Sequence, residues 1–195
     1  MTVLKRSDGT LLFYNAIPVD DATLAQLRAL GTPKQLIVPN QFHALDAAAF
    51  AHRLGLTAYC PTVAIEPLAS RLTCLPIAQL PLDAGLEVFS VEGFKTHEAV
   101  LLLGGKTLLL ADLITNVPHQ GGFYGLMMRF IGFTGPKPVL PRPVRKRVGR
   151  DLPAVGALMR KLAAIETLSR IIPSHGAIIE TNAREALREA SLDVR

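Results

Sequence analysis

The chain has 195 residues, of which 49% are hydrophobic and 19% charged, so disorder over most of its length is excluded and one domain with a large core is expected. Its apolar runs, such as 99–103 and 108–111, are far too short for a transmembrane segment, and the N-terminus lacks the long apolar stretch of a signal peptide. Lys and Arg number 21 against 16 Asp and Glu, a formal net charge of +5. A cytoplasmic location is the expectation, with Cys60 and Cys74 as reduced, buried thiols, because they lack CxxC spacing.

In chain order, Thr10 to Tyr14 reads as a strand, short, apolar and partly aromatic. Asp20 and Asp21 open an amphipathic helix with Leu24, Leu27 and Leu30 at helical spacing, ended by Gly31. Gln35 to Val38 is a buried strand. Asp46 is placed to cap a helix running to about Leu54, with Gly55 as terminator, and Thr57 to Cys60 is again strand-like. Beyond Pro61 the signal weakens until Leu86 to Val91. His97 to Leu103 and Lys106 to Leu113, joined by Gly104-Gly105, form a tight hairpin that delivers Asp112 at the edge of a buried sheet.

Gly121 to Phe133 is apolar and helical, expected to pack in the core; the other readings are a lid, a partner-binding surface that would make a homodimer, or a membrane-facing element. Most of the excess positive charge lies in 137–150, as Lys137, Arg142, Arg145, Lys146, Arg147 and Arg150 with no acid among them. Such a patch attracts nucleic acid, an acidic lipid surface or an anionic substrate. It lacks interleaved aromatics for base stacking, and Pro136, Pro138, Pro141 and Pro143 argue against a continuous recognition helix. A solvated basic loop is expected, and an anionic small-molecule substrate ranks ahead of nucleic acid. Asp151 starts a helix reaching about Ser169, Ile171-Ile172 is a strand, and Asn182 with Glu185 reads as a capping box for the last helix. Strands and helices in this order suggest two sheets covered by helices, an α/β architecture.

Five histidines are present, His43, His52, His97, His119 and His175. His43 and Asp46 follow one strand, Asp112 ends another and His175 follows a third, and nitrogen and oxygen donors gathered at strand ends suit zinc, iron or manganese. Glu98 and Thr96 are placed to support such a pocket from the hairpin, although no spacing demands it. Phosphate-loop, dinucleotide-loop, GxSxG and HExxH patterns are absent.

Leu108-Leu-Leu-Ala-Asp112 and Ile171-Ile-Pro-Ser-His-Gly176, in this order after the His43 loop, resemble motifs of the metallo-β-lactamase fold superfamily. The resemblance implies one domain over residues 1–195, a four-layer αββα sandwich, and one or two bound metal ions. Members typically carry His-x-His-x-Asp-His after a strand, but Asn40, Phe42, Ala44 and Leu45 fill those slots here without gaps. Phe94 or Lys95 falls near the middle histidine, with His97 displaced, so the usual two-metal site cannot form. A one-residue shift gives His43 and Asp46 the second and last slots, as in an atypical branch with a degenerate motif. The implied centre holds one divalent ion on His43, Asp46, Asp112 and His175. Asp112 and His175 are also the catalytic candidates, with Asn40, His97 and His119 around them. The implied function is hydrolase-like. The alternative is a metal-free, non-catalytic binding or regulatory protein, with Asp46 as a helix cap and Asp112 accepting backbone amides.

Overall fold

The computed structural model describes residues 1–194, and the chain divides into two compact units, Met1–Ala84 and one beginning at Gly85, each built on one sheet.

In the first unit the elements are β1 (Thr2–Lys5), β2 (Thr10–Tyr14), α1 (Asp21–Leu30), β3 (Thr32–Ile37), α2 (Ala47–Leu54), β4 (Thr57–Cys60), α3 (Thr62–Leu68) and β5 (Cys74–Pro76). The sheet runs β1-β2-β3-β4-β5, with β1 antiparallel to β2 and the remaining pairs parallel. β2 reads as unbroken apolar sequence because both of its faces are covered: Leu11, Leu12, Phe13 and Tyr14 are all buried. Leu24 and Leu27, three residues apart, are the buried residues of α1, and the Asp20 carboxylate accepts from the Thr23 N–H at 2.8 Å as its cap. Phe13 meets Phe50 of α2 edge-to-face at 5.2 Å inside a core that includes Leu36, Val38 and Leu68. Buried Gln35 is satisfied by the Arg6 guanidinium, which also donates to Asp83 and to the Pro81 carbonyl. Cys60 and Cys74 are buried free thiols, and contact with Cys74, reinforced by burial, pushes the Cys60 thiol up.

In the second unit, β6 (Leu86–Ser90), β7 (Ala99–Leu103) and β8 (Thr107–Leu110) form an antiparallel meander, and β9 (Arg170–Pro173) adds parallel to β8. Its helices are α4 (Gly122–Phe130), α5 (Arg142–Val148), α6 (Leu152–Ala163) and α7 (Ala183–Leu192). Val155, Met159 and Leu162 of α6 bury one stripe in a core that includes Val100, Leu102, Leu108, Leu110, Ile171 and Leu187. Gly104 and Gly105 both take positive φ, 56° and 65°, as a two-residue hairpin turn requires.

Several expectations are corrected. The hairpin strands are shorter than expected, and Asp112 lies two residues past the end of β8. The basic segment is not all loop: Arg142–Val148 is helical, with Pro141 and Pro143 at its start, where a missing N–H costs nothing. α6 stops at Ala163, and the Ser169 and Arg170 amides turn to the Lys106 carbonyl. Asn182 has φ 56° and its side chain makes no capping bond, so there is no capping box. Asp46 occupies the position before α2 but likewise makes no side-chain cap bond, whereas Gly55 at φ 65° terminates that helix as expected. α4 is not a core helix, because only Gly125 in it is buried. β1, α3 and β5 were not anticipated.

Phe13→Ala is expected to lower the unfolding free energy by about 3–5 kcal/mol, and Phe13→Leu by under about 1.5 kcal/mol, in urea denaturation. Equal losses would show that ring packing against Phe50 does not support the first sheet.

Candidate metal centre

Glu98 stands just before β7 and is fully buried. Its carboxylate accepts three backbone N–H groups from the residues that follow β8: Ala111 at 2.8 Å, Asp112 at 2.9 Å and Leu113 at 3.4 Å. These amides have left the strand ladder, and buried amides without acceptors are costly. One carboxylate satisfies all three and fixes the backbone from which Asp112 projects. Burial raises the Glu98 carboxyl to about 8, the nearby Asp112 charge adds to the rise, and the three amide bonds oppose it.

His175 reaches the same sheet edge through β9. Leu110 and Pro173 are paired in register, and the Ser174 amide donates to the Leu110 carbonyl at 2.9 Å, so both chains leave the sheet side by side. His175 Nε2 then lies 3.4 Å from Asp112 Oδ1. The turn is fixed by Gly176 at φ 94°, where an added Cβ would sit 2.0 Å from the Asn116 carbonyl oxygen. The Asn116 amide donates to the His175 carbonyl at 3.0 Å, and the Ala177 amide to the Asn116 carbonyl at 2.9 Å. Phe133 and the imidazole pack in a T-shaped arrangement, with ring centroids 5.4 Å apart and planes at 72°. The His175 side chain is 36% exposed and that of Asp112 14%, so both donors remain within reach of solvent.

A separation of 3.4 Å is long for a direct hydrogen bond between these groups. Two donors bound at 2.0–2.1 Å to one tetrahedral zinc ion sit about 3.3–3.4 Å apart. An imidazole nitrogen and a carboxylate oxygen at that distance fit a borderline divalent cation.

The remaining candidates are carried by other elements. In the first unit, buried Asn40 uses its side-chain oxygen to accept from the Phe42 and His43 amides, at 2.9 and 3.2 Å, which shapes the short 3-10 turn carrying His43. Asp46 lines a cavity of about 160 Å³ with Ile17, Val19, Phe50 and Arg53. In the second unit, His97 holds a turn at φ 48°, its amide donating to the Phe94 carbonyl. His119 Nδ1 is 2.9 Å from the Thr134 hydroxyl, and both residues line a cavity of about 350 Å³ with Arg129, Arg142 and Arg145. Glu98 is the residue that sequence reasoning underrated; its signal was a lone acid opening an otherwise apolar strand.

Among solved structures, the chain resembles the DIM-1 metallo-β-lactamase with 14% identity and a TM-score of 0.64, covering 99% of this chain and 86% of that one. A metallo-β-lactamase from Pontibacter korlensis matches at 12% identity and a TM-score of 0.64, over 98% of this chain and 86% of the other. This chain has the metallo-β-lactamase fold. The FIM-1 metallo-β-lactamase from Pseudomonas aeruginosa in its mono-zinc form shares that fold at 14% identity and a TM-score of 0.61, covering 98% and 82%. No family model matches the sequence. A malate dehydrogenase of Parabacteroides distasonis is 28% identical over 131 residues, 63% of this chain, and the chain spans only 42% of that protein. No glycine-rich dinucleotide loop accompanies that likeness.

Two outcomes follow. Gly176→Ala is expected to cost more than about 2 kcal/mol of stability, because it adds backbone strain to a clash with a carbonyl; an unchanged melting temperature would contradict the turn geometry. Glu98 binds its proton more tightly folded than unfolded, so its contribution is complete below pH 4.5 and is lost as pH rises through about 8. In chelator-treated protein, the stability of wild type relative to Glu98→Gln should therefore fall across that window, and a difference independent of pH would contradict the assignment.

Proposed function

We propose that this protein is a hydrolase-like enzyme with a reduced, single-ion centre. The carrying observation is the Asp112–His175 pair, two donors 3.4 Å apart, secured by Glu98 behind one and the Gly176 turn beside the other. Zinc, iron and manganese all accept such donors. His43 is proposed as a third ligand from its place in the shifted first motif, with Asp46 as a further candidate; water would complete the shell.

When bound, the ion would polarise a scissile bond and lower the pKa of its water. The chain's own residues set the conditions for that chemistry. Glu98 keeps Asp112 in place, so the carboxylate can hold the ion or accept a proton from an attacking water. Phe133 shields one side of the His175 ring from solvent. Thr134 follows Phe133 and lines the cavity with His119, Arg129, Arg142 and Arg145, which supports an anionic small-molecule substrate held close to the pair.

Titration of chelator-treated protein with zinc, followed by calorimetry, tests the reading. Saturation near one ion per chain is expected, with affinity reduced at least about tenfold to a hundredfold in Asp112→Ala and in His175→Ala, since even outer-shell partners cost that much. Failure of wild type to bind zinc, iron or manganese, or unchanged affinity in both variants, would overturn it.

A further inference from the structure

α4 presents an apolar surface that water should disfavour. Phe123 is 85% exposed and Phe130 84%, and Tyr124, Leu126, Met127 and Ile131 are exposed with them. Isolated exposed apolar residues are ordinary, but a patch concentrated on one short helix marks a contact surface. Beside it lies α5, which carries Arg142, Arg145, Lys146 and Arg147. The two chemistries meet in one cleft of about 650 Å³, where Leu126, Phe130 and Ile131 face Arg129, Arg142 and Lys146. Among the described residues no carboxylate forms an ion pair with Arg129, Arg142 or Lys146, whereas nearby Lys137 pairs with Glu189 at 2.9 Å.

We propose that α4 and α5 together dock this protein onto an anionic lipid bilayer. Phe123, Phe130 and Leu126 would enter the boundary between headgroups and acyl chains, while the guanidinium and ammonium groups remain at the lipid phosphates. No helix among the described residues is long and apolar enough to cross a membrane, so the contact is interfacial. A second copy of the chain fits this surface less well. Two such faces apposed would bring unpaired basic side chains together, and like charges across an interface oppose association. An anionic bilayer meets both the apolar and the basic halves of the surface. This surface goes beyond the proposed metal chemistry and does not depend on it.

Sedimentation of the full chain with vesicles tests the proposal. Binding is expected to equimolar phosphatidylcholine and phosphatidylglycerol, much less to phosphatidylcholine alone, and should weaken with added salt. Each of Arg142→Ala and Lys146→Ala should weaken binding about fivefold. Phe123→Ser with Phe130→Ser should abolish sedimentation while the circular dichroism spectrum and melting temperature are kept, since both side chains are already exposed. Absence of wild-type binding to the anionic vesicles would overturn the proposal. So would binding that ignores the Phe substitutions, or a dimer in solution that the same substitutions dissociate.

Discussion

A carboxyl group taken fully out of water is expensive, and Glu98 offsets that cost by solving a problem the backbone creates. Where β8 ends, the amides of Ala111, Asp112 and Leu113 turn away from the ladder inside a buried region, and the Glu98 oxygens accept all three. That single ionisable group converts a strand end into a rigid platform for Asp112. β9 is hydrogen-bonded alongside β8, so the same platform sets where His175 emerges. Weakening the Glu98 contacts would loosen both donors together, although Glu98 need never touch a substrate or an ion.

The secondary structure was readable wherever one local rule dominated. β4 spans the residues expected of it, and the diglycine hairpin has the positive φ values that its turn requires. α3 and β5 escaped notice because they are short and carry weak periodicity, and Pro67 sits within α3. The prolines around α5 make its sequence read as loop, although at a helix start they are tolerated. Apolar composition does not tell an outward helix from an inward one, so the exposure of α4 depended on tertiary placement.

The candidate site was legible in part. The order of Asp112 and His175 along the chain identified a pair, but their approach to 3.4 Å depends on strand register and on the Gly176 turn. The Asn40 side-chain oxygen serves the backbone of its own turn, accepting from the Phe42 and His43 amides. The importance of Glu98 was hidden because a single acid at a strand start has no motif, and only burial distinguishes it from a solvated one.

Asp112 and His175 stand at the edge of β8 and β9, whereas the lipid-facing surface is built on α4 and α5. Arg129 and Arg142 line both its cleft and the cavity beside His119, so ion binding and vesicle binding are read by separate measurements. The most direct measurement of the central claim is the visible absorption spectrum of chelator-treated protein on addition of cobalt(II). The account predicts intense bands of low-coordinate cobalt that saturate near one equivalent and disappear in His175→Ala. A spectrum indistinguishable from aqueous cobalt in the wild-type protein would contradict it.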